Sequence, residues 1–265
     1  MNSYRDTHIE PHAYILKKPD EETLLYKITS SDNFFKMLKD NYLYFKRVNT
    51  YTDDTRDSDQ PDKDKEASEK SKFENAPEYT ARHYYDSCRS KTYACCFSTE
   101  NTSHIWEHYG DNDSNAICLV FDCYKLINFL NNYFDEARLI YNNERLINFF
   151  FINYGLVTYG DFNNAFLTQH LPNPIEYVYF KDEKFAKEKE FRISLSCLGK
   201  RKYRLPDGTK FNFPESLILE FDFVKAIQMK IIQQIIVSHK CTDKEMINTQ
   251  LNNLFKDKGI TIIFK

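Results

Sequence analysis

The chain has 265 residues, a formal net charge of −3 and 42% hydrophobic residues, with 22 Phe, 19 Tyr and one Trp against 6 Gly and 8 Pro. That balance excludes collagen-like, low-complexity and globally disordered chains. It also argues against a protein that binds nucleic acid by bulk positive charge, while a local basic groove stays open.

Residues 1–22 read as an N-terminal arm. Leu24 to Thr29 forms the first expected strand. Ser30, Ser31 and Asp32 offer N-caps for a short helix carrying Phe34, Phe35 and Leu38. Tyr42 to Phe45 is a second strand, rich in β-formers. From Thr52 to Glu78 the composition changes: ten acidic and five basic residues accompany a single Phe. The expectation for 52–78 is a charged, mobile, solvated insertion, with a lid or partner-binding loop as the alternative. Thr92 to Ser98 is a strand, 102–109 suits a short helix, and Asn115 to Asp122 is a strand. Tyr124 to Phe134 and Glu144 to Tyr154 read as helical stretches. Pro172-Asn173-Pro174 marks a loop. Glu176 to Phe180 and Lys189 to Leu198 read as strands, and Pro206-Asp207-Gly208 within Tyr203 to Phe213 signals a hairpin.

The C-terminal part combines an apolar β-branched run, Ile231 to Val237, with a capping box at Thr242 to Glu245. Ile247, Leu251, Leu254 and Phe255 follow at helical spacing. Lys256 and Lys258 sit in the last turn, Gly259 stops the helix, and Ile260 to Phe264 is a last strand. These elements predict a single domain over 1–265. Its class is α+β, a mixed, mostly antiparallel sheet core with flanking helices and a closing β-α-β segment.

The seven cysteines form no C-x-x-C pair, so zinc-ribbon and thioredoxin patterns are unsupported, and buried free thiols in a reducing cytosol are expected. The polar first residues and the shortness of every apolar run, against about 20 residues for a membrane span, predict a cytoplasmic protein with no membrane association.

The clearest chemical pattern is Glu188-Lys189-Glu190-Phe191-Arg192-Ile193-Ser194-Leu195. On a strand, Phe191, Ile193 and Leu195 face the core. Glu188, Glu190, Arg192 and Ser194 share the other face. Two neighbouring carboxylates repel, which raises the pKa of one if the row lines a cleft. The plainer expectation is an exposed charged face on which Glu190 and Arg192 pair. In Ser103 to Gly110, His104 and His108 stand four apart on a helix. Without a third ligand this predicts packing rather than a metal site, so no metal ligand is assigned. Trp106 by itself reads as a core anchor.

Taken in order, several pieces resemble a known family. They are Leu25-Tyr26-Lys27, Leu43-Tyr44-Phe45, Cys96-Phe97-Ser98 and Trp106-x-His108-Tyr109-Gly110 leading into Ile117 to Asp122. Glu188-Lys189-Glu190-Phe191-Arg192 completes them. Over 24–264 the chain resembles the bacterial domain-of-unknown-function family numbered two-nine-seven-one. It departs from that family's Phe-Asn-Asp-Pro stretch, where Tyr51-Thr52-Asp53-Asp54 stands instead and only Asp53 matches.

A more distant similarity is to NAD-dependent ADP-ribosyltransferases, whose late E-x-E pair looks like Glu188-Lys189-Glu190. That similarity implies an ADP-ribosyltransferase-like fold and an enzyme with NAD as its substrate. It gives Glu190 the oxocarbenium-stabilising role and Glu188 the acceptor-positioning role. Tyr26, Lys27, Ser98, Trp106, His108, Tyr109 and Arg192 become the candidate NAD-binding residues. Among them, Tyr26, Trp106 and Tyr109 would stack on nicotinamide, and Lys27 or Arg192 would meet the diphosphate. The implied acceptor is a protein or nucleic acid. The implied setting is a toxin or phage-defence effector, with an antitoxin or defence-system partner. Two alternatives stand beside it: a non-catalytic sensor or binding module, and a metal-dependent nuclease using Asp53, Asp54, Glu188 and Glu190.

Overall fold

A computed structural model of the chain describes residues 8–110, 115–134, 136–164, 172–197, 204–205, 207–255 and 258–264. Residues 1–7 of the expected arm lie outside these, as do Leu198, Tyr203, Pro206 and Lys256.

The first half opens with β1 (Leu24–Ser30), α1 (Ser31–Asp40) and β2 (Tyr42–Arg47). Ser30 caps α1 by accepting from the Asn33 amide, the role its hydroxyl suits in a helix entry. After a 3-10 turn at Val48–Thr50 come α2 (Asp62–Lys70), β3 (Lys72–Phe73), β4 (Ala76–Thr80), α3 (Ala81–Arg89) and β5 (Thr92–Ser98). Then follow α4 (Ser103–Tyr109), β6 (Ala116–Asp122), α5 (Cys123–Tyr133), β7 (Arg138–Tyr141), β8 (Glu144–Ile147), β9 (Phe151–Leu156) and β10 (Thr158–Gly160). The last part holds α6 (Pro174–Val178), β11 (Phe180–Asp182), a 3-10 helix at Glu183–Glu188 and β12 (Glu190–Ser196). It ends with β13 (Ser216–Glu220), α7 (Phe223–Gln228), β14 (Ile232–Val237), α8 (Lys244–Phe255) and β15 (Thr261–Phe264).

The fold is α+β. The main sheet runs β15-β14-β6-β1-β5-β2-β13-β7-β8, and β12 pairs with both β5 and β9. All its pairings are antiparallel except β14 with β15, which are parallel and joined by α8 as expected. One face buries a dense aromatic core around Phe97, Phe121, Phe191 and Phe221, with T-shaped contacts such as Phe97–Phe121 at 5.5 Å between ring centres. Burying each such side chain stabilises the fold by roughly 1.5–3 kcal/mol. Among the described residues no helix is long and apolar enough to cross a membrane.

Three local readings of the sequence need correction. Glu144 to Tyr154 is not a helix. Asn142 and Asn143 both take positive φ, 50° and 63°, the signature of a two-residue hairpin turn. They pair Tyr141 with Glu144, and β8 and β9 occupy the stretch. Glu176 to Phe180 is not one strand either. Asn173 accepts from the Ile175 amide, Glu176 returns a bond to the Asn173 amide and Pro174 sits at the first helical position, so a capped helix forms. Of the expected hairpin near Gly208, the described residues show an antiparallel bridge between Arg204 and Lys210, with Gly208 at φ 85°.

The third correction bears on the site. The expected strand from Lys189 begins at Glu190, because Lys189 adopts a left-handed conformation (φ 46°) that ends the 3-10 helix and turns the chain. Glu188 and Glu190 therefore do not share one strand face.

Candidate functional site

β5 is the axis of the site. Along one edge it pairs with β12 throughout, from Glu190–Ser98 to Ser196–Thr92. Its other edge is shared. β1 meets it only at Tyr26–Ser98, while β2 meets it at Lys46–Ala94 and Arg47–Tyr93. Between these contacts, Cys95 to Phe97 have no ladder partner on that edge among the described residues. β1 and β2 part here, and a cleft of about 200 Å³ opens over the split.

The split sets the polar contents of the cleft. Tyr26, Ser98 and Glu190 lie in one row across β1, β5 and β12, at the usual spacing of about 4.8 Å between strands. Lys27 enters from the core side, where its Nζ donates to the Cys96 carbonyl at 3.3 Å and lies over the Phe97 ring. Tyr26, Lys27, Ser98, Tyr109, Glu188, Glu190 and Arg192 all line the cleft.

The strand face carrying Glu190, Arg192 and Ser194 is not the solvated charged face of the plainer expectation; all three are buried. Arg192, at 1% exposure, is saturated with partners. Its Nε and NH2 donate to the two Glu190 oxygens at 2.5 and 3.0 Å. Its NH1 donates to Asp57 Oδ1 at 2.8 Å, to Ser58 Oγ at 3.0 Å and to the Val178 carbonyl at 2.7 Å. NH2 closes a second bond to Asp57, making that pair bidentate. Lys181 Nζ lies 2.6 Å from Glu188 Oε2, 3.6 Å from Glu190 Oε2 and 3.8 Å from Asp57 Oδ2. Three buried carboxylates thus share two buried cations.

Environment separates the two glutamates. Burial would push the Glu190 carboxyl up, but Arg192 and then Lys181 outweigh it and hold it down to about 2. Glu188 is shifted the other way: burial raises it and the charge of Glu190 adds to that, against the pull of Lys181. Glu190 is therefore a fixed anion, and Glu188 is the glutamate whose proton can be exchanged. Among the described residues Glu188 Oε1 has no hydrogen-bond partner. The Tyr109 phenol, raised by burial and then by the charges of Glu190 and Glu188, faces this carboxyl.

Ser98 serves as a clasp. Its hydroxyl is 2.7 Å from the Glu188 carbonyl, which accepts from it, and its oxygen accepts from the Glu100 amide at 3.1 Å. The Tyr159 hydroxyl accepts from the Glu190 amide at 2.9 Å, which fixes the start of β12.

Two expected site residues stand elsewhere. Trp106 is a packing residue. It is buried with Ile105, Ala116, Cys118, Val120 and Ile236, and its Nε1 donates to Asn101 Oδ1 at 2.7 Å. His108 is outside the cleft lining, stacked on His104 and edge-on to Tyr109, with Nε2 3.6 Å from Asp53 Oδ2. No group of three His, Cys, Asp or Glu side chains among the described residues gathers at metal-binding distances.

Several site residues were absent from the sequence-based set: Lys181, Tyr51, Asp57 and Cys96, with Asp54 named only in the nuclease alternative. Solvation fails for the first half of the charged stretch 52–78. Asp54, Asp57, Ser58, Asp59 and Gln60 are buried, as are Asp64 and Ser68 on α2. Asp59 is ringed by Lys65, Arg82 and Arg89. The sequence signal was available in one respect, since a solitary buried Arg192 on a core strand demands an acidic partner from elsewhere in the chain.

Residues 105–193 match the model of a family described as a protein of unknown function (DUF2971). The matched span runs from α4 to the middle of β12, so it includes Tyr109, Lys181, Glu188, Glu190 and Arg192. No curated protein matches the chain.

Proposed function

We propose that the cleft cleaves the N-glycosidic bond of NAD and transfers ADP-ribose to a protein or nucleic-acid acceptor, on an ADP-ribosyltransferase-like scaffold. The observation that carries this reading is Glu188. It is a buried carboxyl with one oxygen on Lys181 and the other unpartnered, in a cleft walled by Tyr26, Tyr51 and Tyr109.

The chemistry follows from charge. When the bond between ribose C1′ and the nicotinamide nitrogen breaks, its electron pair leaves with nicotinamide and positive charge develops on the sugar. A preorganised anion in a dry site stabilises that charge. Glu190 supplies a fixed anion, held by Arg192, and Lys181 keeps Glu188 beside it. An acceptor nucleophile then bonds to C1′, and its proton passes to the idle Glu188 oxygen. Because both Glu190 oxygens are engaged by Arg192, the direct contact moves from Glu190 to Glu188, and Glu190 becomes a positioning residue. The aromatic walls suit a flat nicotinamide ring.

The test is nicotinamide release and label transfer from NAD into cell lysate, for the native protein and for Glu188→Gln. Release that falls at least about a hundredfold in the variant, the scale of a lost charge-stabilising group, supports the enzyme. Absence of both release and transfer with native protein sinks it. A second reading, a ligand-binding module without catalysis, is favoured by one observation: the Glu190–Arg192–Asp57 network is saturated as an internal ion-pair system.

A further inference from the structure

The segment from Tyr51 to Gln60 leaves β2 through the 3-10 turn and is fastened to the sheet by the bidentate Asp57–Arg192 pair. Asp54 lies on this segment and lines the cleft. It is 5% exposed. Its Oδ1 accepts from the Arg56 amide at 3.1 Å, and its Oδ2 has no partner among the described residues. Burial first, and then the charge of Asp57, raise its pKa, while Lys181 opposes them. Asp54 and Glu188 thus both interact with Lys181, and each holds one idle carboxyl oxygen in the same cleft. Buried polar atoms are normally partnered. Two idle carboxyl oxygens call for a ligand that brings donors. Lys181 already supplies a cation, so hydroxyl groups fit better than an amine.

Away from the carboxylates the cleft carries ammonium groups, Lys27 partway along the β5 edge and Lys46 at its far end. Lys27 rests on the Cys96 carbonyl and the Phe97 ring, and Lys46 lies over the Tyr51 ring. Neither pairs with a carboxylate among the described residues. Lys46 stands opposite Ala94, and Glu190 stands opposite Ser98. The two positions are four residues apart on β5, about 13 Å. A ligand filling the cleft therefore meets hydroxyl acceptors at one end, the Lys27 ammonium partway along and the Lys46 ammonium at the far end.

We propose that Asp54 is a ligand-binding residue: with Glu188 it takes the vicinal hydroxyls of a phosphorylated ribosyl compound whose phosphate lies on Lys27 and Lys46. This deepens the ribosyl substrate of the function proposed above and rests on it.

The probes are ribose 5-phosphate and 2-deoxyribose 5-phosphate, titrated into the full chain by NMR or calorimetry. The native protein should prefer the ribose compound by about tenfold, the scale of one hydrogen bond to a charged group. Asp54→Ala should cut that preference below about threefold, while Asp54→Asn, which keeps an acceptor oxygen, should fall between. If the alanine variant does not fold, the asparagine variant carries the test. Lys46→Met should weaken both sugars equally and lessen the salt dependence of binding. Binding of neither sugar by native protein, or full preference in Asp54→Ala, overturns the proposal. Preference without nicotinamide release from NAD supports this assignment and removes the transferase. Release without preference removes this assignment alone.

Discussion

Replacing Arg192 by Met tests the electrostatic reasoning at its most loaded point. The guanidinium is 1% exposed and binds two carboxylates that are 2% and 4% exposed. Its removal leaves Asp57, Glu188 and Glu190 with only Lys181. The magnitude follows from Glu190, which is held at about 2 against an ordinary 4.5. At 1.36 kcal/mol per unit, that displacement corresponds to about 3 kcal/mol of stability, within the roughly 3–5 kcal/mol typical of a broken buried pair. For a chain of this size the loss lowers the melting temperature by about 10 °C. The pH dependence fixes the sign. In native protein the folded Glu190 value lies below the unfolded one. Its contribution is present above about 4.5 and is lost as pH falls towards 2. In the variant, burial and like charge push Glu190 above its unfolded value. The variant then recovers stability as pH falls and the carboxyl takes a proton. Urea unfolding of both proteins at pH 7 and pH 5 measures the gap, which should narrow at the lower pH. A gap below about 1 kcal/mol at pH 7, the scale of a surface pair, refutes the argument, as does a gap that widens on acidification.

Two further substitutions probe the frame around the cleft. A Cβ on Gly110 would stand 2.5 Å from the Trp106 carbonyl oxygen and 2.6 Å from the Ala116 Cβ. Gly110→Ala should therefore cost about 1–3 kcal/mol by overpacking, read as a fall in thermal midpoint; an unchanged midpoint contradicts the packing of α4 on β6. Trp106→Phe should cost about 1 kcal/mol through loss of the bond to Asn101, yet leave nicotinamide release and sugar-phosphate binding unchanged. Loss of either function at full stability would return Trp106 to the site.

The sheet was legible in the sequence wherever one force dominated. β5 and β6 are runs of mostly apolar, aromatic and β-branched residues buried on both faces, β14 is an Ile- and Val-rich strand interrupted by Gln233 and Gln234, and α8 follows a plain apolar stripe. The site was legible only as residue types. Glu188-Lys189-Glu190 looked like one strand face because period two is the default for such a run, and nothing local announced that Lys189 would turn left-handed. Asp54 and Asp57 looked solvated because ten acidic residues in 27 positions normally are. The burial of Asp57 depends on Arg192, more than a hundred positions away. Trp106 looked ambiguous because the helix it occupies touches the cleft on one side, through Ile105 and Tyr109, and the β6 core on the other.

The split beside β5 links stability to function in one place. A central strand with an unpaired edge is a liability, since backbone groups removed from water need partners. Here the Lys27 ammonium answers the Cys96 carbonyl, and a ligand entering between β1 and β2 would meet the rest of that edge. The same region carries four buried carboxylates, Asp54, Asp57, Glu188 and Glu190, around the two buried cations Lys181 and Arg192, a surplus of negative charge that the fold tolerates only through close pairing. A sugar that becomes positive as its glycosidic bond breaks would relieve that surplus in the transition state and not before, which is the differential binding that accelerates a reaction. The same surplus places a demand on stability as well. Neutralising the surplus by Glu188→Gln should leave the folded protein at least as stable as the native one while abolishing release, the trade expected of a site that stores charge for chemistry.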